Sequence, residues 1–174
     1  SLPSGGERTL YDANSAATVS NGALRLDGAL AGDATTGPAG HTLEFEGTFA
    51  HVRNQYAGLG ENLDNYPFAV FTTTAEFEPT SFYVWSGNSD QDSQWTEIPG
   101  FAVNVPHRFR IDWGVSTVTF YIDGVQVAQH NVTIDREMRP VAVDNNVNGG
   151  SLKLDWMRMG PYATTGTFTS RVMD

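Results

Sequence analysis

The stretch HRFRIDWGVSTVTFYIDGVQV, residues 107–127, holds two runs in which every second residue is apolar. Phe109, Ile111 and Trp113 lead the first run; Val118, Phe120 and Ile122 lead the second. Side chains of a strand point alternately to its two faces, so each run has one apolar and one polar face. A polar break at 114–117 separates the runs. Asp123-Gly124 then closes the second with a dipeptide that accepts positive φ cheaply. The stretch predicts an antiparallel ladder lying with one face on a core.

The same alternation recurs outward from it. Leu24/Leu26, Leu43/Phe45 and Leu152/Leu154/Trp156 repeat it, and Asn21-Gly22 and Asn148-Gly149 supply further turns. YPFAVFTTT is apolar at consecutive positions, which predicts a central strand covered on both sides. Trp113 and Trp156 fall in phase with aliphatic neighbours and are expected in the core. Loops are expected at 27–40, 86–100 and 144–150, with Trp95 exposed in the second. No helix longer than a turn is predicted. Many short strands with frequent turn signals make the chain all-β, an antiparallel β-sandwich.

Composition narrows the function. A chain of 174 residues, 40% of them hydrophobic, fits one domain with a sizeable core. No apolar run reaches the roughly 20 residues that span a bilayer, so membrane insertion is not expected. Cysteine is absent, which excludes disulfides and thiolate metal sites. The opening SLPSGGERTLYD reads as the boundary of a mature or excised domain. The formal net charge is −10 with a single lysine, Lys153. Averaged over the surface, that charge disfavours nucleic acid, anionic membranes and anionic polysaccharides, and is compatible with neutral glycans.

The order of elements adds a family resemblance. NGALRL is followed by LEFEGTF, an apolar block, PHRFRIDWGVSTVTFYIDGVQV and finally LKLDWMRMGPY. This resembles the concanavalin A-like lectin/glucanase superfamily. More closely, NQYAGLG, PFAVFTT, MRPVAVD and SLKLDWMRMGPY resemble LamG-like jelly-roll domains of bacterial secreted multidomain proteins, non-catalytic relatives of laminarinase-type glycoside hydrolases. The resemblance implies a concanavalin A-like jelly roll over 1–162. Residues 163–174 would be a strand or tail leading to a following domain, in an extracellular protein tethered to other domains.

The glycosidase branch of that superfamily carries E-x-D-x-E on one concave strand, so that alternation sets the carboxylates on one face. The motif is missing here. Glu76-Phe77-Glu78 offers two carboxylates at that spacing, but Pro79 follows at once; Glu44-Phe45-Glu46 repeats the pattern elsewhere, showing how readily alternation produces it. Polysaccharide-lyase chemistry would need its proton shuttle and uronate-neutralising runs, which are also missing, and no G-x-S-x-G is present. No catalytic residue is assigned.

Recognition of neutral sugars uses aromatic rings against C–H faces, with amides and carboxylates on the hydroxyls. Such residues gather in 51–66 and 82–95. The candidates are Tyr83, Trp85 and Trp95 for stacking and Asn54, Gln55, Glu61 and Asn88 for hydroxyls, with Tyr56 among the sugar-binding residues. The resemblance also implies one structural Ca²⁺ held by Asp155 and by the N-terminal segment through Glu7. The expected function is non-catalytic, lectin-like binding of a neutral polysaccharide on the concave face. The alternatives are a divergent glycoside hydrolase or polysaccharide lyase of the same fold, and a structural spacer or protein-interaction module.

Overall fold

The computed structural model describes residues 17–62, 65–73, 81–147 and 149–162. In chain order the first strands are β1 (Thr18–Ser20), β2 (Ala23–Leu26), β3 (Ala29–Gly32), β4 (His41–Thr48) and β5 (Gln55–Asn62). There follow β6 (Asn65–Thr72), β7 (Tyr83–Gly87), β8 (Ser93–Glu97) and β9 (His107–Trp113). The last are β10 (Val118–Ile122), β11 (Val125–His130), β12 (Arg139–Asp144) and β13 (Leu152–Pro161). They form two antiparallel sheets, β1-β2-β13-β4-β9-β10-β11 and β3-β12-β5-β6-β7-β8. No helix occurs among the described residues. The protein is an all-β sandwich, as the alternation predicts, with the jelly-roll form that the resemblance implies.

The 107–127 stretch forms the expected ladder. Val118 pairs with Trp113, Phe120 with Ile111 and Ile122 with Phe109, and all six side chains face the core. The centre of that core is phenylalanine. The Phe109 ring lies 4.8 Å from Phe45 and 4.8 Å from Phe71, and Phe49, Phe82 and Phe101 close around it. Phe45 and Phe109 come from the seven-stranded sheet and Phe71 from the six-stranded one, so ring contacts across the gap join the layers. Trp113 is fully buried, as expected from its phase.

Three expectations need correction. The 27–40 segment contains β3 and the 86–100 segment contains β8, both edge strands of the six-stranded sheet. Edge strands bond on one side only and can leave much of their length wet; SQWTE needs no apolar alternation to pair as β8. The third concerns Trp156. Pairing of β13 with β4 shifts between Leu154 and Trp156, an irregularity at Asp155. An extra residue on one strand exchanges its faces. Leu152 and Leu154 therefore point inward before the bulge and Met157 and Met159 after it, while Trp156 turns outward.

The sheets are also tied by polar contacts at one edge. His130, at the end of β11, is buried and bonds Ser86 Oγ at 2.8 Å through Nδ1 and Thr96 Oγ1 at 3.0 Å through Nε2. Each hydroxyl can donate or accept, so both nitrogens of a neutral ring are satisfied. Burial pushes the His130 pKa down to about 4.

Two predictions follow from this packing. Phe109→Ala leaves a cavity among five rings and should cost about 3–5 kcal/mol in urea unfolding. Unfolded His130 binds its proton near 6.5 and the native ring only near 4. Its contribution is therefore complete above pH 6.5 and is lost as pH falls toward 4, by at most about 3 kcal/mol. Urea midpoints followed across that window should slope downward toward acid, and His130→Gln should flatten the slope.

Candidate functional site

The inward positions of the six-stranded sheet, including Ala57, Leu59, Ala69, Phe71 and Val84, belong to the core. Alternation then sends Tyr56, Gly58 and Gly60 of β5 outward. With them go Tyr66, Phe68, Val70 and Thr72 of β6, Tyr83, Trp85 and Gly87 of β7, and Trp95 of β8. Register then sets Val70 beside Trp85, and Trp85 beside Trp95. The outcome is an aromatic wall crossing three strands. Trp85 and Trp95 stack at 3.8 Å with planes 16° apart. Phe68 meets Trp85 edge-on at 4.3 Å, Tyr66 stacks on Phe68 at 4.6 Å, and Tyr83 meets Trp95 edge-on at 6.4 Å.

Glycine makes this geometry possible at one point. A Cβ at Gly87 would sit 2.2 Å from the Tyr66 ring, so Tyr66 lies across the strand in the space a side chain would fill. The wall is graded in burial. Phe68, Val70, Thr72 and Tyr83 are buried, whereas Tyr66, Trp85 and Trp95 are half-buried. The expected strand covered on both faces is therefore β6.

The polar groups of this face are unusual. Four buried side-chain polar atoms among the described residues lack a hydrogen-bond partner: Thr72 Oγ1, Trp85 Nε1, Arg139 Nε and Trp113 Nε1. The first three lie on the outer face of this one sheet, since Arg139 pairs with Gly60 in the outward register. An unmade hydrogen bond of a buried group costs about 1–3 kcal/mol, so three on one face mark a place where stability is given up. No outward position of β5, β6 or β7 just named carries a carboxylate. Among the described residues the face carries Glu97 of β8, paired with Tyr83, but no strand of it sets two carboxylates at alternate outward positions as glycoside hydrolysis requires. Glu76 and Glu78 lie outside the described residues.

The eight expected sugar contacts are only partly brought together. Tyr56, Tyr83, Trp85 and Trp95 share the outer face. Gln55 does not. It is fully buried, pointing into the sandwich, where its side chain accepts from Ala50 N (2.7 Å) and donates to Asp144 Oδ2 (2.7 Å) and to the Gly150 carbonyl (3.1 Å). Asp144 in turn accepts from Leu152 N and Asn146 N, so the pair clamps the loops at one end of the sandwich. Asn54 turns the chain before β5 at φ 61°. Glu61 sits at an irregularity in β5 and pairs with Arg136 at 3.3 Å. Asn88 Oδ1 accepts from Asp90 N and Asp92 N, making it the organiser of the β7–β8 turn.

Asp155 is exposed at the β13 bulge, and Glu7 lies outside the described residues. Among the described residues no three His, Asp or Glu side chains gather where a metal ion could sit. A separate recess of about 140 Å³ opens at the sandwich rim between Val19, Leu24, Ala31, Leu154, Met157 and Met159. Its lining holds none of the orphaned polar atoms, so the aromatic face is the stronger candidate.

Phe68, Thr72 and Arg139 were not among the residues the sequence pointed to. Outward alternation of Tyr66/Phe68/Val70/Thr72 is visible in the chain, but its alignment with Trp85 and Arg139 depends on strand register.

No family model and no curated protein matches this chain. Its fold is nevertheless that of solved proteins. The immunostimulatory antigen and pseudo β-1,3-glucanase of Mycobacterium tuberculosis is 15% identical, with 81% of this chain and 75% of that chain covered and a TM-score of 0.58. A Bacillus licheniformis β-glucanase is 11% identical over 91% and 89%, TM-score 0.58. A toad ovary galectin, solved with thio-digalactose, is 12% identical over 81% and 100%, TM-score 0.54. The chain shares the jelly-roll sandwich fold of these three proteins.

The clamp supplies a test of the Gln55 assignment. Gln55→Ala removes one of the donors to the Asp144 carboxylate, leaves the Ala50 amide without its acceptor and should cost about 2–4 kcal/mol in chemical denaturation. Glycan binding by the folded fraction should be unchanged.

Proposed function

We propose that this protein is a non-catalytic carbohydrate-binding module, and that a neutral glycan docks on the aromatic wall of the six-stranded sheet. The observation that carries this is the coincidence of the wall with three orphaned polar atoms, Thr72 Oγ1, Trp85 Nε1 and Arg139 Nε. Sugars offer both halves of what such a face lacks: C–H faces for the rings, and hydroxyls that donate and accept. Binding rather than hydrolysis is favoured because no described strand of this sheet sets two carboxylates at alternate outward positions. Extracellular placement fits this reading, and no described helix is long and apolar enough to cross a membrane.

The wall assigns different work to its two tryptophans. Trp85 is held between Trp95 and Phe68, so its ring builds the wall. Trp95 stands at the outer end, on the edge strand, and is the ring a sugar meets. A polysaccharide array with the purified protein, run with and without a chelator, tests the reading and any Ca²⁺ dependence through Asp155. We expect a neutral glycan to bind, Trp95→Ala to weaken it about tenfold or more with stability little changed, and Trp85→Ala to cost about 3 kcal/mol of stability as well. An array without a neutral hit, or an unaltered affinity in folded Trp95→Ala, refutes the proposal.

A further inference from the structure

The outer face of the seven-stranded sheet has a different chemistry. Its outward positions include Arg25 of β2, Lys153, Trp156 and Arg158 of β13, Thr42, Glu44 and Glu46 of β4, and Arg108, Arg110 and Asp112 of β9. Thr119 and Tyr121 of β10 complete it. Five of the chain's ten basic residues thus lie on one face. Counting Asp155 at the bulge, they meet four of its twenty acids, so the face carries +1 while the whole chain carries −10. Two of the four acids are also sunk. Glu44 and Asp112 are buried, whereas Arg25, Arg108, Lys153 and Arg158 are exposed.

The sunken acids hold the bases upright. Glu44 accepts from Arg158 and from Arg108, and Asp112 accepts two 2.7 Å bonds from Arg110 and one of 2.8 Å from Thr42. Burial alone would raise the Glu44 carboxyl, but Arg158 and Arg108 outweigh it and hold the group below its ordinary range. Beside them lies Trp156, its ring centre 5.6 Å from the Arg108 guanidinium and 5.3 Å from that of Arg158. Tyr121 lies 5.0 Å from Arg110.

We propose that this face is a second binding surface, and that it takes an anionic polysaccharide bearing sulfate or carboxylate groups. It is independent of the aromatic wall, which lies on the other sheet. Three features select that ligand. Exposed cations above buried carboxylates present positive charge to solvent although the chain as a whole is acidic. The indole of Trp156 gathers two of those guanidiniums over its ring, which concentrates anion-binding groups at one point of the face. The named outward positions include no Val, Leu, Ile, Met or Phe, and the two aromatic ones, Trp156 and Tyr121, each lie against a guanidinium, so charge dominates the face. Nucleic acid carries a charge for about every 1.7 Å of duplex, and the remaining −11 of the chain repels that density most strongly. The averaged charge argued against anionic polysaccharides because it ignored where the ten basic residues stand.

Calorimetry of the purified protein with dextran sulfate, dextran and poly(dT), each at low and high salt, is the test. Dextran sulfate should bind, with affinity falling at least tenfold as salt rises. The double variant Arg25→Glu/Lys153→Glu, checked for folding by circular dichroism, should lose at least tenfold, and Trp95→Ala should lose nothing. If the double variant does not fold, Lys153→Gln alone, at an exposed position, should lose several-fold. Equal affinity for dextran and dextran sulfate, undiminished binding in the folded charge variant, or preference for poly(dT) overturns the assignment.

Discussion

The ring of Phe109 is the point on which the two layers of this protein meet. It comes from the seven-stranded sheet and packs against Phe71 of the six-stranded one, with Phe45, Phe49, Phe82 and Phe101 around it. Because strand side chains alternate, committing Phe109, Ile111 and Trp113 to this core commits Arg108, Arg110 and Asp112 to the outer face. The same holds for every strand that packs against it. The core therefore chooses, residue by residue, what the two outer faces display.

Those faces diverge because different residues occupy the complementary phase. On the six-stranded sheet that phase holds Tyr66, Phe68, Val70, Tyr83, Trp85 and Trp95, and register lines the rings into one wall. On the seven-stranded sheet it holds guanidiniums over sunken carboxylates. Ion pairing there orients side chains more than it stabilises them, since much of each arginine remains in water. Among the described residues, three of the four buried polar atoms without partners fall on the first face.

Much of the fold was legible. The 107–127 ladder, the doubly covered β6 and the core position of Trp113 all follow from counting apolar residues at every second position. The candidate site was legible only in its aromatic part. Tyr83, Trp85 and Trp95 stand out as residue types, but their union with Phe68, Thr72 and Arg139 joins strands far apart in the chain. Gln55 looked like a ligand for hydroxyls because an amide near a turn has the right chemistry; its phase, shared with Ala57 and Leu59, already pointed it inward. Trp156 misled in the opposite way. A single extra residue at Asp155 reversed the phase, and nothing local in LKLDWMRM announces a bulge.

By itself the sequence determined the class of structure, because the period of two and the turn dipeptides are local properties that survive without knowledge of any partner strand. It also determined the sum of the charges. Only the tertiary structure decided which rings touch, which polar atoms go unpaired and where the basic residues collect. Those outcomes depend on register between distant strands and on one bulge, and a shift of a single residue moves a side chain to the opposite face.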